Sequence, residues 1–155
     1  MIEALFTPEL VMLDFNVEST DELFEVVSKR LVDMGYVKDS FVDALKEREH
    51  FYPTGLKTLP FPIAVPHADV KHVNRKGIVF VKLSHGITVN EMASSKPLSN
   101  VKYFFFLLIN EAKLQVELLQ YIMSFCMDDE KMSELDTICD KDAIVQYLNS
   151  GTDRN

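Results

Sequence analysis

The first fifty residues change hydrophobic period from strand to helix. In VMLDFNV, residues 11–17, apolar and polar positions alternate, which predicts a half-buried strand. Ser19 and Glu22 then stand at the spacing of a capping box, and Gly35 is a stop signal. The residues between them predict one face of an amphipathic helix, formed by Leu23, Val26, Val27 and Leu31.

A second helix is predicted over KDSFVDALKEREHF. Asp39 or Ser40 is its cap, and it must finish before Pro53 because a residue that precedes proline is biased away from helical dihedral angles. This places two charged residues near the C-terminal end of the helix, Arg48 and Glu49.

Three apolar runs follow a YPTG turn signature, each bounded by Pro, Gly, Asn or charged residues. They are PIAV, GIVFVKLS and VKYFFFLLI, and their β-branched and aromatic residues predict strands. Further on, AKLQVELLQYIMSFCM has the spacing of a long helix, and KDAIVQYLN predicts a last short one.

The predicted strands are separated by helices, and two of the strands are apolar enough for burial on both faces. This order predicts an α/β sandwich. We expect a single domain in which helices cover both sides of a mixed β-sheet. The chain has 155 residues, 47% of them hydrophobic, which is enough for one good core. Residues 1–150 are expected to form this domain and residues 151–155 a C-terminal tail.

Charge and cysteine content narrow the possible partners and the compartment. The chain has 16 Lys and Arg against 24 Asp and Glu, a net charge of -8, so a surface that follows phosphate backbones is not expected. The longest apolar run is too short for insertion into a membrane, and a cytoplasmic protein is expected. Cys126 lies among apolar residues of a helical pattern, which favours a buried, inert thiol in a reducing compartment.

The segment LPFPIAVPHADV delivers a histidine to the end of a strand. Pro66 lacks an N–H and has a fixed φ, so the strand ends there and His67 follows in a loop. Open α/β sheets place their chemistry at such strand ends. The alternative is a histidine that only caps the loop by hydrogen bonding. The sequence has no glycine-rich phosphate loop, so any phosphate chemistry must use side chains.

Three motifs in order resemble the IIA domain of the fructose and mannitol class of the bacterial phosphoenolpyruvate-dependent sugar phosphotransferase system. They are the RE pair at Arg48 and Glu49, the PTG turn at residues 53–55, and IAVPHAD at residues 63–69. In that family an arginine and a glutamate end a helix, a Thr-Gly turn follows, and an apolar strand runs into a Pro-His pair. The resemblance covers nearly the whole chain.

The resemblance implies a role for each of these residues. His67 would carry the phosphoryl group on Nε2, with its other nitrogen hydrogen-bonded to a backbone carbonyl or to Asp69. Arg48 would stabilise the phosphoryl oxygens, and without the motif a pairing with Glu47 or Glu49 would be the simpler interpretation. Thr54 would contribute a hydroxyl, although a purely structural turn is equally compatible with the sequence.

The long C-terminal helix departs from the pattern of many family members. They carry a second histidine there, whereas this chain has Gln115, which can donate a hydrogen bond but cannot titrate. Glutamine at this place and the similar FYPTG segment favour the galactitol-type IIA proteins within the family.

The expected function is phosphoryl transfer without a cofactor or a metal. The donor would be the carrier protein HPr, the acceptor a cognate IIB protein, and the membrane component IIC an indirect partner. A second hypothesis is a regulatory module of the nitrogen-regulatory kind, which binds partner proteins instead of feeding sugar uptake. A third is a metal-dependent hydrolase that uses His50, His67 and Glu49.

Overall fold

A computed structural model describes residues 5–150 of the chain. Two 3₁₀ turns, Pro8–Leu10 and Val70–His72, accompany the helices and strands. The strands of the described part are β1 (Val11–Phe15), β2 (Gly55–Leu56), β3 (Ile63–Ala64), β4 (Gly77–Asn90) and β5 (Pro97–Leu108). Its helices are α1 (Thr20–Asp33), α2 (Phe41–Phe51), α3 (Ala112–Cys126), α4 (Asp129–Thr137) and α5 (Lys141–Ser150).

The five strands form one mixed sheet in the order β1-β4-β5-β3-β2. β1 is parallel to β4, and β3 is parallel to β5, whereas the β4–β5 and β2–β3 pairs are antiparallel. Successive side chains of β4 and β5 point to opposite faces of the sheet, so these strands contribute to two separate apolar layers. Phe104 and Phe106 pack with α1 and α2, and Tyr103 and Phe105 pack with α3, α4 and α5. The predicted α/β sandwich with helices on both sides is confirmed.

A capping bond marks the start of α1, whereas α2 begins without one. Ser19 Oγ accepts a hydrogen bond from Glu22 N at 3.1 Å, and the Glu22 carboxylate accepts one from Glu18 N at 2.7 Å. Gly35, with φ +82°, follows α1 in the left-handed conformation that a helix stop requires. Ser40 stands at the N-cap of α2 without a capping bond, since its hydroxyl is hydrogen-bonded to His72 Nδ1 at 2.8 Å.

The structure corrects several predicted elements. The predicted strand in PIAV is only two residues long, and β4 and β5 each continue well beyond the apolar runs that predicted them. Two elements were not predicted: β2, which pairs with β3, and α4. The sequence of α4, DEKMSELDT, is polar apart from Met132 and Leu135, which are its buried residues. So short and polar a segment gives little periodic signal.

Three other sequence expectations concern burial and the chain end. Cys126 is buried, and burial raises the pKa of its thiol, as expected for an inert core residue. No helix within residues 5–150 is long and apolar enough to cross a membrane. The expected tail, residues 151–155, lies outside the described residues.

Candidate functional site

The topology brings His67 and the start of α3 to the same edge of the sheet. β3 and β5 are parallel neighbours, so their C-terminal ends meet at this edge. His67 lies just beyond β3 and forms an isolated bridge with Leu107 near the end of β5, and α3 begins a few residues later. Gln115 lies in the first turns of α3 and is half-buried. The site is therefore built on the ends of core strands.

The two ring nitrogens of His67 have different surroundings. Nδ1 lies 2.8 Å from the carbonyl oxygen of Val65. A carbonyl oxygen only accepts, so Nδ1 carries the proton in this contact and Nε2 keeps its lone pair. Nε2 is buried and has no hydrogen-bond partner among the described residues. His67 is thus a 5%-exposed histidine with one free, nucleophilic nitrogen.

The surroundings of His67 favour the neutral ring. Burial lowers its pKa, the hydrogen bond to Val65 opposes this, and the positive charge of Arg48 lowers the pKa further. The dominant cause is burial, so the imidazole stays neutral at physiological pH. A neutral imidazole with a free Nε2 is a competent nucleophile.

The side chain of Arg48 has no hydrogen-bond or ion-pair partner among the described residues. It comes from the last turn of α2, and its buried Nε has no hydrogen-bond partner within residues 5–150. The guanidinium lies 5.6 Å from the ring centre of Tyr52, and no ion pair links Arg48 to any described carboxylate. The interpretation of Arg48 as a helix-end partner of Glu47 or Glu49 is therefore not what the structure shows. An uncommitted guanidinium near a nucleophile suits an anionic reactant.

Glu49 is occupied by a neighbouring turn. Its Oε2 accepts from Thr54 N at 3.0 Å and its Oε1 accepts from Thr54 Oγ1 at 2.9 Å. Burial raises the pKa of Glu49, against the lowering effects of the two Thr54 hydrogen bonds and of Arg48. Thr54 is itself 2% exposed. Both of its donors serve Glu49, so the Thr54 hydroxyl is already hydrogen-bonded within the protein.

The remaining candidates are placed as follows. Asp69 caps the short turn that follows His67, accepting from Lys71 N at 3.4 Å, so a backbone carbonyl and not Asp69 orients the histidine ring. Gln115 has no hydrogen bond to His67 in this structure. Its place at the same edge rests on the topology alone.

The histidines proposed for a metal site are not gathered together. His50 is exposed at the end of α2 and packs edge-on against Phe51, and both oxygens of Glu49 are bound to Thr54. Over residues 5–150, no three His, Cys, Asp or Glu side chains form a group that could hold a metal ion.

An open cleft of about 510 Å³ adjoins the site on the side of α2. Arg48 lies on its wall, together with two aromatic residues that are exposed to solvent, Phe51 (66%) and Tyr52 (67%). Asp69, Lys71 and His72, which follow His67 closely in the chain, also line the cleft. His67 itself is not a lining residue, so the cleft adjoins the site through Arg48.

Sequence reasoning named His67, Arg48 and a backbone-carbonyl partner for the histidine ring, but it did not identify Val65 as the source of that carbonyl or Glu49 as the acceptor for Thr54. A backbone carbonyl leaves no trace in the side-chain sequence. The spacing of Glu49 and Thr54 around Pro53 was a usable signal, because a carboxylate next to a turn commonly accepts from turn amides.

Comparison with known proteins bears on this site. The sequence pattern described as "Phosphoenolpyruvate-dependent sugar phosphotransferase system, EIIA 2" matches residues 4–151. A mannitol-specific phosphotransferase enzyme IIA component of Staphylococcus aureus is 30% identical over 86 residues, which cover 54% of this chain and 58% of that protein. The matched part thus spans little more than half the length of such relatives.

Solved structures share the fold at low sequence identity. The Escherichia coli mannitol IIA, solved in complex with phosphorylated mannitol IIB, is 21% identical with a TM-score of 0.75, covering 94% of this chain and 97% of that one. A nitrogen regulatory protein IIA-Ntr of Neisseria meningitidis is 20% identical with a TM-score of 0.66, covering 93% and 96%. At these identities the likeness shows the fold alone.

Proposed function

The chain belongs to the EIIA 2 family of the phosphoenolpyruvate-dependent sugar phosphotransferase system, and we propose from this premise that it is a phosphocarrier that accepts a phosphoryl group on His67. The observation that carries the proposal is the state of Nε2: buried, unpartnered and left with its lone pair by the Val65 contact. A buried polar atom without a partner is costly, and a reacting atom is one reason to keep it.

In the proposed transfer, Nε2 of His67 attacks the phosphorus of a phosphohistidine on the donor protein. The new P–N bond forms as the old one breaks, and the donor imidazole takes back the electron pair. Positive charge develops on the His67 ring, and the Nδ1–H bond to the Val65 carbonyl stabilises it. Arg48 lies near enough for its charge to act on His67, and its free donors suit the transferring oxygens.

The proposed partners are HPr as donor and a cognate IIB protein as acceptor, with IIC served indirectly. The mannitol IIA and IIB pair of E. coli, solved as a complex, supports this assignment by analogy of fold. The acceptor nucleophile would be a IIB cysteine, whose thiolate attacks the phosphorus and returns the electron pair to Nε2. Since such a donor works in the cytoplasm, we place this chain there too.

For the sugar class we propose a hexitol. The S. aureus relative is named for mannitol, whereas Gln115 and the FYPTG segment favour galactitol. Mannitol and galactitol are both hexitols, so the two lines of support agree at that level. Growth of a strain lacking its own hexitol IIA, complemented with this chain on each hexitol, tests the choice.

The direct test of the carrier function is intact mass after incubation with phosphoenolpyruvate, enzyme I and HPr. Wild type is expected to gain one acid-labile phosphoryl group, and His67→Ala none. Label that persists in His67→Ala would refute the assignment of His67. Label that forms but does not pass to a IIB protein would instead favour a regulatory phosphoprotein, as in the nitrogen-regulatory relatives of this fold.

A further inference from the structure

Glu49 is a half-buried carboxylate for which the proposed transfer has no direct use. We infer that Glu49 is a positioning residue: by clamping Thr54 it holds the backbone at Val65 and thereby fixes the tautomer of His67. The inference rests on the proposed function for its rate measurement but not for its measurement of the tautomer. Three linked contacts connect the Glu49 carboxylate to the His67 ring.

The first contact is two-pronged. Both carboxylate oxygens of Glu49 accept from a single residue, the amide and the hydroxyl of Thr54, at 3.0 and 2.9 Å. Two bonds to one residue fix its orientation as well as its position. Thr54 is buried, so no surface water can easily replace the carboxylate if it is removed.

The second contact passes this orientation to the next strand. The carbonyl of Thr54 accepts from Val65 N at 3.3 Å, immediately after the β2–β3 pair of Gly55 with Ala64. On the other side, the carbonyl of Pro66 accepts from Leu107 N at 3.0 Å. The segment of Val65 and Pro66 is therefore held from two sides, and one of the two anchors is the Thr54 turn.

The third contact is the one that acts on the reacting group. The Val65 carbonyl, held between these anchors, accepts from His67 Nδ1 at 2.8 Å. If this carbonyl turns away, the ring loses the partner that keeps its proton on Nδ1. Protonation of Nε2 would then remove the lone pair that attacks phosphorus.

The clamp has a second consequence for Arg48. Arg48 and Glu49 are adjacent at the end of α2, and an ion pair between them would compete with binding of a phosphoryl group. Because both oxygens of Glu49 are bound to Thr54, Arg48 stays outside any ion pair among the described residues. The two hydrogen bonds from Thr54 to Glu49, the Glu49 clamp, thus also keep the guanidinium of Arg48 available to an anion.

Long-range ¹H–¹⁵N NMR of the unphosphorylated protein measures the tautomer. Wild type is expected to show the Nδ1–H form of His67, and Glu49→Ala a mixture with Nε2–H. Glu49→Gln is expected to restore the Nδ1–H form, since its amide oxygen accepts from Thr54 N and its amide nitrogen donates to Thr54 Oγ1. Glu134→Ala, an exposed glutamate of α4, is the matched control.

Single-turnover phosphoryl acceptance from phospho-HPr provides the second readout. Glu49→Ala is expected to be slower by roughly tenfold to 100-fold, the range seen when a reacting group loses its alignment, and Glu49→Gln to recover most of that loss. If Glu49→Ala does not fold, Thr54→Val removes the hydroxyl arm alone and is expected to shift the tautomer and the rate in the same direction.

The outcomes separate the inference from the proposed function. The positioning role is overturned if Glu49→Ala, or Thr54→Val in its place, keeps a pure Nδ1–H tautomer and accepts the phosphoryl group at a rate within twofold of that of Glu134→Ala. If wild type accepts no phosphoryl group but the tautomer still depends on Glu49, the clamp stands and the carrier function fails.

Discussion

Two clusters of polar groups, one at α4 and one at the end of β3, differ in whether their hydrogen-bonding atoms have partners. Beneath α4, Tyr103 donates to Asp136, and Lys82 lies 3.4 Å from the same carboxylate and 3.1 Å from its backbone carbonyl. At the end of β3, His67 Nε2 and Arg48 Nε are buried without partners among the described residues. Burying a polar atom costs free energy unless it is paired. The first cluster is therefore built for stability, and the second keeps costly free atoms where a ligand can use them.

Arg48→Lys is the change that should affect the second cluster most after loss of His67 itself. Lysine keeps the charge but lacks the planar fork of donors. We expect transfer from phospho-HPr to slow by roughly 10², the lower range for loss of one positioned donor, while the free energy of unfolding changes little. Rapid-quench measurement of single turnovers checks the rate. Arg75→Lys, an exposed arginine over Tyr36, is the control, and equal rates in the two variants would contradict the role of Arg48.

Tyr103→Phe should do the reverse. It removes the phenol that donates to Asp136, whose side chain is 40% exposed and keeps Lys82 as a partner. We expect the free energy of unfolding to fall by about 0.5–1.5 kcal/mol, the net contribution of one hydrogen bond, with phosphoryl acceptance unchanged below the unfolding transition. Urea denaturation and the acceptance assay measure the two effects. A loss of transfer with intact stability would mean that the two clusters are not separate.

Gln115→Ala should have a smaller effect on transfer. If its amide donates to a phosphoryl oxygen, its loss should slow transfer by about tenfold, the equivalent of one charge-assisted hydrogen bond at the weak end of its range. Gln120→Ala, an exposed glutamine on the same helix, is the matched control. A rate equal to that of the control would leave Gln115 without a part in the reaction.

The pH dependence of His67 should sharpen the contrast further. Burial and Arg48 lower its pKa, so its NMR titration midpoint should lie below the ordinary value of about 6.5, and Arg48→Ala should raise it. Since the unfolded chain takes up the proton first, His67 contributes stability fully above about pH 6.5 that is lost as pH falls toward the folded pKa. A midpoint above 6.5 would contradict the burial argument.

Much of the fold could be predicted because it rests on apolar period. The capping box of α1, the double-faced burial of β5 and the strand-ending Pro66 all act locally, so their sequence signals are strong. Residues 85–90 of β4 and 97–100 of β5 were not predicted as strand, because exposed positions there interrupt the apolar runs. The pairing register of β4 with β5 shifts between Lys82 and Ile87, where Gly86 lies against Asn100, whose backbone leaves no room for a side chain at that glycine.

The candidate site was predictable only in its side-chain parts. His67 and Arg48 could be named from short motifs. Their part in the reaction depends on Nε2 of His67 and Nε of Arg48 having no partner among the described residues, which is a property of the folded chain. The Val65 carbonyl and the Glu49 clamp depend on a turn that brings residues of α2 against β3. The spacing of Glu49 and Thr54 around Pro53 signals the turn, but no period or composition in the sequence indicates its contact with β3.

The fold leaves Nε2 of His67 free to act as a nucleophile, since Nδ1 is bound to the Val65 carbonyl and Nε2 has no partner among the described residues. The most direct test is ³¹P and long-range ¹H–¹⁵N NMR on the protein phosphorylated through enzyme I and HPr. The account predicts a single phosphoryl group on Nε2, with the proton still on Nδ1 facing the Val65 carbonyl. A phosphoryl group on Nδ1, or on any residue other than His67, would contradict it.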